Sequence, residues 1–229
     1  MNITIKQPIL TLLAALSMGV GAASAQVSEE VLKSISTPDK VETSIGTLEF
    51  LDGAPLPETA QKAYDYLDTM RGVDAFLKGI PGASLHGLMT ANRSIGAKEC
   101  HQVMMMETLA DSKPLYLTMN TSTLYVIPTL DLKRDGPTVL EMPAGLLGVI
   151  HDAWFRYQED VGPAGPDKGK GGKFLVLPPD YKGNVPEGYF VVRSRSYDVW
   201  VLLRTSIADG VDVAVKRVKD NLRVYPLAM

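Results

Sequence analysis

From Lys113-Pro114 to Arg204 the chain is dominated by short apolar or alternating runs set off by turn signals, and no helix-length pattern separates one run from the next. Leu115–Leu117, Thr123–Leu132, Thr138–Met142 and Leu147–His151 form a first set, punctuated by Asn, Asp-Gly and Pro-Ala-Gly. Phe174–Leu177, Tyr189–Arg195 and Val199–Arg204 form a second set, with Asp180–Gly183 and Pro186–Gly188 as turns. Alternation over four to eight residues bounded by Gly, Pro, Asn and Asp is the signature of half-buried strands with tight connections. The pattern therefore demands mainly antiparallel pairing and excludes a βαβ fold, in which a helix must follow each strand.

Helical patterns lie on either side. Pro57 sits where a first turn tolerates a missing N–H, and from Glu58 to Leu77 apolar residues recur at three- and four-residue steps (Ala63, Leu67, Met70, Val73). This predicts an amphipathic helix with a break at Gly72, ended by Gly79-Ile80-Pro81-Gly82, and a second helix over 83–92. Ser44–Leu51 reads as a first strand ahead of the turn Asp52-Gly53, and 26–44 as a flexible, irregular lead-in. Met104-Met105-Met106 reads as core filler, in a short helix or an irregular segment. Gly210–Leu222, with Val211, Val215 and Val218 against Lys216, Lys219 and Asp220, closes the chain as a helix. The expected fold is α+β: a largely antiparallel sheet or sandwich core with N-terminal helices and a C-terminal helix, its domain spanning 45–228.

The first 25 residues have a different character. Lys6 supplies a positive start, 8–23 are almost wholly apolar or small, and Ala23-Ser24-Ala25 precedes Gln26. Residues 1–25 thus read as a secretory signal peptide, cut between Ala25 and Gln26, which directs the chain to the periplasm or beyond. No Cys follows to take a lipid anchor, and no later stretch is long and apolar enough to span a membrane, so none is expected after cleavage. Loss of Lys6 moves the net charge from −3 to −4. That mild acidity, with no Lys/Arg stripe between aromatics, argues against nucleic acid as a partner. Cys100 is alone, so no intramolecular disulfide forms and packing must supply the stability.

The candidate chemistry is concentrated in three stretches. Gly162-Pro-Ala-Gly-Pro-Asp-Lys-Gly-Lys-Gly-Gly-Lys173 combines glycines with Lys168 and Lys170, which suits an anion cradle or a long turn between strands. It lacks the Walker spacing and precedes a strand where a helix would be required. Asp152–Val161 sets Trp154, Arg156 and Asp160 together, as a ligand clamp or as an Arg–carboxylate network that fixes a loop. Asn120, Thr123 and Tyr125 open a strand, where they serve either as caps or as part of a site. His86, His101 and His151 are dispersed, so neither a metal site nor a cofactor is expected.

Several stretches in order resemble the exported bacterial family DUF1254. They include Leu117-Thr-Met-Asn-Thr-Ser-Thr-Leu-Tyr125, Leu130–Pro137, Trp154-Phe-Arg-Tyr157, Asp160–Leu175, Leu177–Gly183, Pro186–Tyr189 and Arg223-Val-Tyr-Pro-Leu227. The resemblance implies a β-rich domain with accessory helices, usually followed by a companion DUF1214 domain. Two departures from it are Ser122, where an acidic residue is expected, and an end at Met229, where the second domain would begin. The resemblance supplies architecture and no mechanism. The expected function is binding or processing of a small polar or anionic ligand in a pocket formed by Asn120, Thr123, Tyr125, Trp154, Arg156 and Asp160. In that arrangement Lys168 and Lys170 stand at its lip. The alternatives are a non-catalytic module that pairs with a DUF1214-type domain, another chain or a second copy of itself, or a truncated remnant.

Overall fold

The computed structural model describes residues 27–113, 116 and 118–227. The proposed leader, 1–25, lies outside them, as does most of the short run expected at 115–117. The chain divides into two compact units at Arg71/Gly72.

In the first unit, helix α1 (Glu29–Ile35) is capped by Ser28, whose hydroxyl accepts from the Val31 N–H. Strands β1 (Lys40–Thr43), β2 (Gly46–Leu51) and β3 (Ala54–Pro55) form an antiparallel sheet in that order. The region expected to be irregular thus contributes a helix and an edge strand. Asp52 and Gly53 both have positive φ, which suits the tight turn of a hairpin. Thr59, buried in the first turn of helix α2 (Pro57–Ser94), accepts from the Glu49 N–H at 2.7 Å and ties the helix start to β2.

Helix α2 corrects two expectations: it neither breaks at Gly72 nor stops at Gly79–Gly82. Pro81 removes one intrahelical hydrogen bond, yet the turns beyond it bury Leu85 and Met89 completely. Gly82 also lets the helix approach the Trp154 ring, because a Cβ there would stand 3.1 Å from it. Tertiary packing outweighs the local breaker. Before those turns, Val73, Phe76, Leu77 and Ile80 remain exposed.

The rest of the second unit is a two-sheet sandwich. Six strands form one sheet: β4 (Met104–Met105), β5 (Leu124–Ile127), β12 (Asp198–Thr205), β8 (Leu146–Asp152) and β9 (Tyr157–Val161) in spatial order, with β6 (Thr129–Asp131) also paired to β12. The Met run thus supplies a short edge strand. The other sheet runs β11 (Phe190–Arg193), β10 (Gly172–Leu177), β7 (Thr138–Met142) and β13 (Arg223–Pro226). Pairing is antiparallel except between β10 and β11, where residues 178–189 form a crossover and not a hairpin. A one-turn helix, α3 (Leu132–Asp135), follows β6 and is capped by the Asp131 carboxylate. Helix α4 (Val211–Asn221) buries Ala214 and Val218, and the chain then continues into β13, a strand absent from the sequence expectation.

The inner faces meet in one core, with Val199, Val201 and Leu203 of β12 against Leu140, Phe174, Val176 and Val224 of the facing sheet. Gly148 of β8 lies opposite Leu203, and a Cβ there would overlap the Leu202 carbonyl oxygen. Gly148→Ala is therefore expected to lower the unfolding free energy by about 3 kcal/mol. Gly72→Ala, at an exposed helical position with open space around it, should raise it by about 1 kcal/mol. Urea titrations of the two variants read both shifts.

Candidate functional site

Because side chains alternate along a strand, the residues between those core positions face the opposite side of the six-stranded sheet. Three rows result. Tyr125 (β5) pairs with Arg204 (β12), which pairs with Leu147 (β8). Leu202 (β12) pairs with Val149 (β8), which pairs with Asp160 (β9), and Trp200 (β12) pairs with His151 (β8), itself opposite Tyr157. Leu88 on α2 and Met119 from the segment before β5 cover this floor. Between floor and cover is a cavity of about 580 Å³, to which Tyr116, Phe155 and Ile127 also contribute. Its volume lies within the range of small-molecule sites, which bury an apolar body among a few polar groups.

Four of its polar side chains are Tyr125, Tyr116, Asp160 and Arg204. Tyr125 accepts a hydrogen bond from the Asn120 N–H (2.9 Å), and Tyr116 donates to Asn92 Oδ1 (3.4 Å). Burial pushes the Tyr116 phenol above its usual range, so it stays protonated. Asp160 accepts from the Tyr157 hydroxyl at 3.3 Å. The Arg204 side chain is exposed and forms no ion pair or hydrogen bond among the described residues. A second cavity of about 390 Å³ shares Leu147 and Arg204 with the first and adds Thr123, Pro163 and Ile207.

The structure distributes the residues singled out in the sequence. Tyr125 and Asp160 line the main cavity and Thr123 the second, while Asn120, Trp154, Arg156, Lys168 and Lys170 line neither. Asn120 Oδ1 accepts from the backbone and hydroxyl groups of Ser122 and Thr123, so its role is to close a turn. Arg156 belongs to a network around the fully buried Asp152: its Nε donates to Oδ2 at 2.6 Å, while Oδ1 accepts from the N–H groups of Trp154 and Arg156. These bonds hold the β8–β9 turn, including Phe155 in a left-handed conformation at φ 62°. Trp154 packs against α2 beside Gly82.

The glycine-lysine loop is organised from within. Buried Asp167 accepts from the N–H groups of Gly162 (2.8 Å) and Gly171 (3.2 Å). The N–H groups of Gly165, Lys168 and Lys170 bond to carbonyls of the same loop. Gly162 has a φ of 94°, and a Cβ there would overlap the Leu146 oxygen. With those five donors engaged, the loop reads as a shaped turn rather than an anion cradle.

The sequence reading missed Arg204 and Trp200, although a signal for them was present. In Asp198-Val-Trp-Val-Leu-Leu-Arg-Thr205 the arginine stands in phase with Trp200 and Leu202, an unusual place for an unpaired charge. Among the described residues, no group of three or more His, Cys, Asp or Glu side chains is placed to hold a metal ion, and no helix is long and apolar enough to cross a membrane.

At the far end of the floor, His151 is buried and stacks on Phe155 with ring centroids 4.5 Å apart, Phe155 in turn lying 4.9 Å from Trp200. Burial lowers the imidazole pKa, and the neighbouring Asp152 only partly opposes this. The unfolded chain therefore takes up a proton near the ordinary value of 6.5 while the folded chain resists it, so stability falls as pH drops below that value. Calorimetric melts from about pH 7 to about pH 5 should show the wild type losing more stability than His151→Phe, which has no group to titrate there. Parallel losses would contradict this reading.

The family described as a protein of unknown function, DUF1254, matches the chain over residues 100–226. No curated protein matches the chain. Among solved structures, the crystal structure of the VPA0106 protein from Vibrio parahaemolyticus is similar, at 24% identity and a TM-score of 0.41. The alignment covers 48% of this chain and 29% of that one, so the chain spans less than a third of that protein's length. The family match takes in more than half of the chain and every strand of both sheets of the sandwich, and on that extent the chain belongs to the DUF1254 family.

Proposed function

We propose that this domain binds a small amphipathic anion in the main cavity, its apolar body lying over Leu202 and Val149 and its charged end at Arg204. The observation that carries the reading is Arg204 itself, a guanidinium in phase with an apolar floor and without an ion-pair partner among the described residues. A guanidinium recognises carboxylate or phosphate through paired N–H donors, and the surrounding Leu88, Met119 and Ile127 suit hydrocarbon. This narrows the expected polar or anionic ligand to one with a substantial apolar part. Export by the leader at 1–25 belongs to the same proposal, and it places the site where the chain meets extracytoplasmic amphiphiles.

Isothermal titration with decanoate tests the binding reading. Arg204→Gln should weaken binding by about tenfold or more, the loss of one charge-assisted pair, with the melting temperature nearly unchanged because the side chain is exposed. Absence of decanoate binding to the wild type, or equal affinity in the variant, would remove the proposal.

A second reading has one observation in its favour: the exposed Val73, Phe76, Leu77 and Ile80 follow the spacing of a helical face. They suit pairing with a second copy of this chain. Light scattering should then report a dimer mass that Phe76→Glu reduces to a monomer, whereas a monomer at all concentrations excludes this assembly.

A further inference from the structure

The cavity is polar at more than its Arg204 end. Trp200 lines it, is 4% exposed, and its indole N–H is buried with no acceptor among the described residues. Such a donor is costly when left unmade, and a buried tryptophan ordinarily finds a partner. Beside it, His151 Nδ1 is also without a partner, the two rings 5.7 Å apart. Tryptophan and arginine stand on one face of one strand, four residues and about 13 Å apart. Only Leu202 lies between them on that face of β12, with Val149 beside it in the adjacent row.

From this arrangement we infer that the ligand is two-ended: an anion at Arg204, an apolar middle over Leu202, and an oxygen acceptor that takes the Trp200 indole N–H. The inference rests on the binding reading above and specifies its ligand class, a medium-length acid with a hydroxyl or carbonyl at the end remote from the acid group. A plain hydrocarbon end would leave the indole donor unmade, and its complex would forfeit that hydrogen bond. The site therefore discriminates by what it leaves unsatisfied, a stronger filter than the fit of one more methylene.

Decanoate and ω-hydroxydecanoate are the probes. The ratio of their affinities is measured in the wild type and in Trp200→Phe, which keeps an aromatic ring and removes the donor. The ratio should fall about tenfold in the variant, in the direction of losing the hydroxylated acid. A ratio unchanged by the substitution overturns the inference while leaving the binding reading intact, whereas failure of both probes to bind the wild type defeats that reading first. Should Trp200→Phe fail to fold, the wild type decides alone. Its Trp200 indole N–H resonance should move downfield with ω-hydroxydecanoate and not with decanoate, and equal shifts overturn the inference.

Discussion

The alternation along β12 imposes the constraint on which the sandwich and the cavity both depend. Val199, Val201 and Leu203 enter the core while Trp200, Leu202 and Arg204 face the cavity. A slip of one residue would exchange these sets. Arg204 would then be buried without a partner, at a cost that no gain in apolar area could offset, and Trp200 would have to fit a space shaped for a smaller side chain. The register is held on three sides, by β8 along the whole strand, by β5 at one end and by β6 at the other. The opposing Gly148 has no room for a side chain, so the fit is specific at the residue level.

The same economy governs the connections around the site. Asp152 and Asp167 are fully or almost fully buried carboxylates, and each is satisfied by backbone N–H groups of its own turn. Asp152 holds the β8–β9 turn so that Phe155 reaches the cavity, and Asp167 closes the glycine loop that borders the second chamber. Such acids rigidify a frame more readily than they act on a ligand. Among the described residues, the charges that reach the main cavity are Asp160 and Arg204, two strands apart and unpaired with each other.

Much of the fold was legible because strands announce themselves by alternation and turns by glycine, proline and aspartate. The runs that became β5, β7, β10 and β12, and the helix α4, all carried that signal. What remained hidden was decided by distant contacts. Pro81 looks like a terminator until Leu85 and Met89 are seen to be buried, and the parallel pairing of β10 with β11 depends on a crossover that local turn signals do not report. Of the site, Tyr125 and Asp160 were found, whereas polar clusters drew attention to Arg156 and Asn120, which serve the loops. Arg204 was readable in phase with Trp200 and Leu202. Leu88 and Met119 were not, since only folding brings a helix and a loop from elsewhere in the chain onto that sheet.

The central claim, that one strand divides its residues between core and cavity, is tested most directly by calorimetric unfolding of two neighbouring truncations in β12. Leu203 is fully buried, so Leu203→Ala should lose about 3 kcal/mol, the transfer and cavity terms together. Leu202 is only partly buried at the cavity floor, and Leu202→Ala should lose about 1 kcal/mol, because the space beside it is already open. Equal losses at the two positions would contradict the account.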